Sequence, residues 1–105
     1  MYNYYYIKTD CLSNTWNTFE IRDFLCKLGF FEEELNGIFY SETPYLSISL
    51  MKVKDVDSWS CLDYNEDETN YVSIITSEYS EGNMHIGNIL KSLEQFLGFR
   101  MRCDD

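Results

Sequence analysis

The sequence predicts an α+β fold, two helices packed on a mixed or antiparallel sheet of about five strands. Three observations carry that expectation. Two segments repeat apolar residues at helical spacing and stop at glycine, while the intervening segments are short, rich in β-branched and aromatic residues, and bounded by turn formers. The length of 105 residues suits a single compact domain, residues 1–105, with one core.

Tyr2 to Thr9 is dense in β-formers, with Tyr2, Tyr4 and Tyr6 on one face and Tyr5 and Ile7 on the other, so a strand covered on both sides is expected. Asn17-Thr18-Phe19-Glu20 then supplies a capping side chain and an acid three positions on, with Trp16 and Ile21 placed for a hydrophobic staple. Ile21, Phe24, Leu25 and Leu28 follow at helical spacing, Lys27 suits the negative end of the dipole, and Gly29 provides the left-handed stop. The first helix is expected over residues 18 to 28.

Asn36-Gly37 marks a turn, and Ile38 to Tyr40 with Tyr45 to Val53 reads as a hairpin joined through Ser41-Glu42-Thr43-Pro44. In the second arm Leu46, Ile48 and Leu50 alternate with Ser47, Ser49 and Met51, which predicts one buried face and one facing mostly solvent. Residues 55 to 70 break the pattern, with a short strand expected near Trp59 to Leu62. Tyr71 to Thr76 is a strand by its branched content, and Glu78 to Gly82 is the turn before a second helix. That helix carries the stripe Ile86, Ile89, Leu90, Leu93, Phe96 and Leu97 and ends at Gly98, after which Phe99 to Arg102 alternates as a last strand. Both helices stop at Leu-Gly-Phe, a parallel that the stop's demand for glycine explains without an internal repeat. A ferredoxin-like variant is one candidate topology.

The net charge is -10, with nine Tyr and seven Phe, and that aromatic content separates the chain from disordered acidic tails. The opening residues lack a basic stretch before an apolar run, and nowhere do about 18 apolar residues follow one another, so a cytoplasmic chain that crosses no membrane is expected. Cys11, Cys26, Cys61 and Cys103 form no Cys-x-x-Cys pair and read as free thiols.

Catalytic patterns are missing. His85 is the one histidine and has no ligand partner three or four residues away on its helix, so no metal is expected; it reads as a partly exposed residue at the helix start. No motif surrounds a cysteine, and Cys26 reads as packing at the edge of the first helix's stripe. Gly82 and Gly87 lack the spacing and the following Lys-Ser/Thr of a phosphate-cradling loop, so no cofactor is expected. The chain reads as a binder and not an enzyme.

Any one charge run, such as Glu32-Glu33-Glu34, is explained by solvated surface. The stretch from Asp55 to Glu68 is different because it concentrates six acids beside a single Lys54. Asp55, Asp57, Asp63, Glu66, Asp67 and Glu68, with Trp59 and Tyr64 among them, form the candidate partner-binding set, with Tyr71 flanking. Such a field repels nucleic acid and anionic membrane and attracts a basic protein surface.

The acid segment Asp63 to Glu68, and a helix running through Ile89, Leu93 and Phe96 into Leu97-Gly98-Phe99-Arg100, resemble bacterial toxin-immunity proteins. That resemblance implies stoichiometric neutralisation of a cognate toxin, a nuclease among the candidates, inside the cell that makes both. A nucleic-acid mimic from a phage or mobile element, occupying a host defence or DNA-binding protein, shares the same electrostatics. A small ligand-binding domain or enzyme predicts instead a concave apolar cavity.

Overall fold

The computed structural model describes residues 2–29, 31–32, 38–42, 45–55, 64–77 and 84–103. In chain order the elements are β1 (Tyr2–Lys8), β2 (Trp16–Asn17), α1 (Thr18–Lys27), β3 (Phe31–Glu32), β4 (Ile38–Glu42), β5 (Tyr45–Met51), β6 (Glu68–Thr69), β7 (Tyr71–Ser77), α2 (Met84–Leu97) and β8 (Arg102–Cys103). Six strands form one sheet in the order β3-β4-β5-β7-β1-β8, every pairing antiparallel, and β2 pairs with β6 as a separate two-stranded ladder.

The pairing directions define the topology. Strands β1 and β5 run parallel with β7 between them, and β7 and β8 run parallel with β1 between them. Helix α1 lies in the first connection and α2 in the second, so two β-α-β units interlock as in a ferredoxin-like fold, and β4 and β3 extend the β5 edge.

Both helices cover one sheet face. Ile7 of β1, Phe39 of β4, Leu46, Ile48 and Leu50 of β5, and Val72 and Ile74 of β7 meet Ile21 and Leu25 of α1 and Ile86, Leu90, Leu93 and Leu97 of α2 in one buried cluster. Helix α1 begins as the capping pattern requires, Asn17 Oδ1 accepting from the Glu20 amide at 3.1 Å. It ends one residue earlier than expected, at Lys27, where Gly29 takes φ +96° and its amide reaches the Cys26 carbonyl.

The opposite sheet face differs from expectation. Tyr2 and Tyr4 are about half exposed (50% and 49%), so the second face of β1 is open over its first half and not covered throughout. At its other end Tyr6 stacks on Tyr71 at 5.5 Å, and Met51, Val53 and Leu12 complete a second small cluster there. Met51 is therefore buried, although the β5 alternation pointed it to solvent. The last strand is shorter than the expected Phe99 to Arg102, because the Met101 amide donates to the Glu94 carboxylate at 2.9 Å instead of joining a ladder. The expected strand near Trp59 to Leu62 and the turn from Glu78 to Gly82 lie outside the described residues. No helix is long and apolar enough to cross a membrane among those described.

Asn70 closes the end of the sheet where β1 and β5 stop and β7 starts. Its side chain, 1% exposed, accepts from the Val53 amide at 2.8 Å and donates to the Leu12 and Val53 carbonyls, both at 2.9 Å. Its backbone accepts from Thr9 and donates to Met51. Asn70→Ala leaves two carbonyls and one amide without partners in the interior, so a loss of about 3 kcal/mol is expected in urea unfolding, visible as a lower midpoint at unchanged slope.

Candidate functional site

The β2·β6 ladder sets the position of the acidic segment by pairing Trp16 with Thr69 and Asn17 with Glu68. At its end a buried network joins the turn to the helix. Thr18 Oγ1 donates to the Asn65 carbonyl at 2.9 Å, so the Thr69 hydroxyl 2.7 Å away must donate to Thr18, and the Thr18 amide reaches the Asp67 carbonyl at 3.2 Å. Asn65 Oδ1 accepts from the amides of Asp67 and Glu68 at 2.8 and 2.9 Å, which folds Asn65–Glu68 into an Asx turn. The turn thus sits against the first residue of α1, where the positive end of the helix dipole favours carboxylates.

Five of the eight candidate residues are described, and they do not form one acid patch. Glu66 and Asp67 are exposed on the turn, whereas the half-buried Glu68 forms an ion pair with Lys52. Tyr64 is half-buried and its hydroxyl accepts from Arg22 Nη1 of α1 at 3.0 Å. Asp55 is exposed and follows Lys54 in sequence. Asp57, Trp59 and Asp63 lie outside the described residues. Lys52, Lys54, Tyr64 and Asn65 line one depression of about 590 Å³ with Leu12 and Asn70, so two cations stand among the acids. The field of the segment is weaker there than the sequence alone suggests.

A second feature adjoins the turn. Phe19, which follows Thr18, is 71% exposed, and Phe96 of α2 is 44% exposed while stacking on Phe24 with ring centroids 4.3 Å apart. Phe19, Phe24 and Phe96 line a groove of about 350 Å³ between the helices, rimmed by Glu20, Asp23 and Lys27. Lys27 is committed to Asp23 at 3.0 Å, and among the described residues Glu20, Glu66 and Asp67 have no ion pair. Exposed Phe19 and Glu20 thus lie at the start of α1, and exposed Glu66 and Asp67 lie on the turn whose backbone is hydrogen-bonded to Thr18.

Sequence reasoning missed the two exposed rings. Phe96 belongs to the α2 stripe by its spacing, but it lies at that stripe's edge and leans on α1 instead of entering the sheet core. Phe19 falls on the turn positions of Asp23 and Cys26, away from the buried Thr18, Ile21 and Leu25, and that offset was the available signal. Cys26 is exposed on the same side, which corrects its assignment to packing.

Cys11 and Cys26 are free thiols, Cys103 is exposed on β8, and Cys61 lies outside the described residues. A hydrogen bond with the Ser13 side chain, Sγ to Oγ 3.0 Å, followed by one from the Ser13 backbone, holds the Cys11 thiol below its ordinary pKa. Among the described residues no three His, Cys, Asp or Glu side chains are grouped to hold a metal ion. His85 lies in the first turn of α2, its side chain outside the described set. Comparison with protein-family models, curated proteins and solved structures finds no match.

Two outcomes follow from this geometry. Phe19→Ala leaves stability within about 0.5 kcal/mol of the parent, while Phe96→Ala loses about 1–2 kcal/mol through the Phe24 stack, as chemical denaturation will show. Ser13→Ala moves the pH midpoint for alkylation of Cys11 upward, read by mass spectrometry of timed iodoacetamide labelling.

Proposed function

We propose that the protein is a stoichiometric inhibitor that binds a basic protein in the cytoplasm, in the manner of an immunity protein neutralising a cognate toxin. The observation that carries this reading is Phe19, a phenyl ring 71% exposed beside the unpaired carboxylates of Glu20, Glu66 and Asp67. Covering such a ring on a partner contributes about 1.5–3 kcal/mol, and the acids around it select a cationic partner surface. Phe24 and Phe96 supply a groove for a further apolar side chain. Among the charged candidates, Glu66 and Asp67 are the steering groups of this reading, while Glu68 is occupied by Lys52.

No turnover is part of this reading. Long-range attraction brings the basic surface in, and aromatic burial sets how long it stays. The acids also disfavour contact with nucleic acid or an anionic membrane.

The test is capture of the partner from cells that make the protein, followed by binding kinetics. Association is expected to slow roughly tenfold or more between 50 and 500 mM salt and again with Glu66→Lys and Asp67→Lys, while Phe19→Ala shortens the lifetime with little effect on association. A salt-independent association rate, or a lifetime untouched by Phe19→Ala, overturns the reading. Displacement of the captured protein by duplex DNA identifies a nucleic-acid mimic instead.

A further inference from the structure

We infer that the depression between the end of β1 and β8 binds a phosphate group, either free or carried by a small monoester. It encloses about 100 Å³ and is lined by Lys8, Thr9, Asp10, Phe99, Arg100 and Arg102. None of these residues belongs to the proposed docking surface, so the site stands apart from that reading.

The placement of charge points to an anion. The chain has eighteen acids and eight cations, so a surface cation has carboxylates in excess to choose from, and Lys27 and Lys52 are paired accordingly. Lys8, Arg100 and Arg102 behave differently. These three of the eight cations gather on one depression, and among the described residues none of them forms an ion pair. Bringing like charges together is unfavourable, and the lining offers a single acid against it. That acid is Asp10. Its Oδ1 accepts from the Cys11 amide at 2.9 Å and from Asn14 Nδ2 at 3.1 Å, and its one charge leaves two of the three cations uncompensated. A bound anion offsets that repulsion.

The backbone holds the cations in place before a ligand arrives. Lys8 lies opposite Tyr71 of β7 and Arg102 opposite Tyr6 of β1, so both side chains leave the sheet on the face away from the helices. The segment between the arginines is pinned, because the Met101 amide donates to the Glu94 carboxylate at 2.9 Å. Lys8 Nζ donates to the Thr9 carbonyl at 3.2 Å, which keeps the ammonium at the same end of the strand.

The number and kind of donors select the anion. Two guanidinium forks and an ammonium suit a tetrahedral dianion, whereas a carboxylate brings two oxygens and one charge. A depression of this size takes one such group, and the surrounding net charge of -10 disfavours a nucleic-acid strand. Half-buried Phe99, packed edge-on against Trp16, supplies an apolar wall for the body of an ester.

The test titrates inorganic phosphate, phenyl phosphate and acetate into the isotope-labelled full chain, at a pH where phosphate is a dianion, and reads amide shifts at residues 8–10 and 99–102. Both phosphates are expected to bind saturably there, and acetate about fivefold more weakly or worse. Arg100→Gln and Arg102→Gln each weaken inorganic phosphate about fivefold, while Lys91→Gln, which removes the same charge from an exposed position of α2 outside the depression, changes it less than about twofold. Both arginines are exposed, so these variants keep the fold. Tighter binding of phenyl phosphate assigns an ester as the ligand, and tighter binding of inorganic phosphate assigns the free ion. Absence of saturable shifts, acetate binding as tightly as phosphate, or Lys91→Gln weakening phosphate as much as the arginine variants overturns the assignment.

Discussion

The backbone groups where β1 and β5 end and β7 begins would be stranded in the interior without the Asn70 carboxamide. One side chain satisfies the Val53 amide and the carbonyls of Val53 and Leu12, while its own backbone bridges Thr9 and Met51. An apolar residue there could not meet those groups, and a carboxylate would supply only acceptors to two carbonyls. Because Asn70 directly follows β6, the same constraint fixes where the β2·β6 ladder and the acidic turn leave the sheet.

From that end of the sheet, polar contacts lead to both helices. Thr69 connects to Thr18 at the start of α1, and Trp16, opposite Thr69, donates from Nε1 to the Leu97 carbonyl at 3.0 Å. That bond satisfies one of the carbonyls left open at the end of α2, and the indole packs edge-on against Phe99 at 5.8 Å. A ladder of two residues a side is too short to be stable alone. It persists because its side chains anchor the start of one helix and the end of the other.

Much of this fold was legible in the sequence. Ile21, Leu25 and Leu28 ahead of Gly29, and Leu46, Ile48 and Leu50 alternating with smaller or polar residues, are local patterns, and local patterns survive folding when burial agrees with them. The site was less legible for reasons that are not local. Lys52 and Glu68 are 16 residues apart, and Arg22 and Tyr64 are 42 apart, so no window of sequence shows that these charges and polar groups meet. Whether Phe96 enters the sheet core or leans on α1 depends on which element lies opposite it, and no local pattern shows that. Met101 shows the same limit, since its alternation looked strand-like until the Glu94 carboxylate took its amide.

An acidic surface that serves only solubility needs no fixed geometry, since mobile carboxylates repel other molecules as well as ordered ones. The turn at Asn65–Glu68 is held in another way. Its amides at Asp67 and Glu68 are bound to Asn65 Oδ1, its carbonyls at Asn65 and Asp67 are bound to Thr18, and Thr18 and Thr69 are fully buried beneath it. The backbone that presents Glu66 and Asp67 is therefore ordered when the domain folds. A partner that docks on it has no loop left to immobilise, and the conformational entropy that weakens most encounters with flexible acidic segments does not oppose this one. Phe19 sits on the same helical turn as Thr18, so its backbone is equally fixed. Preorganisation of rings and carboxylates together is the physical property that favours a docking surface over a merely hydrated one.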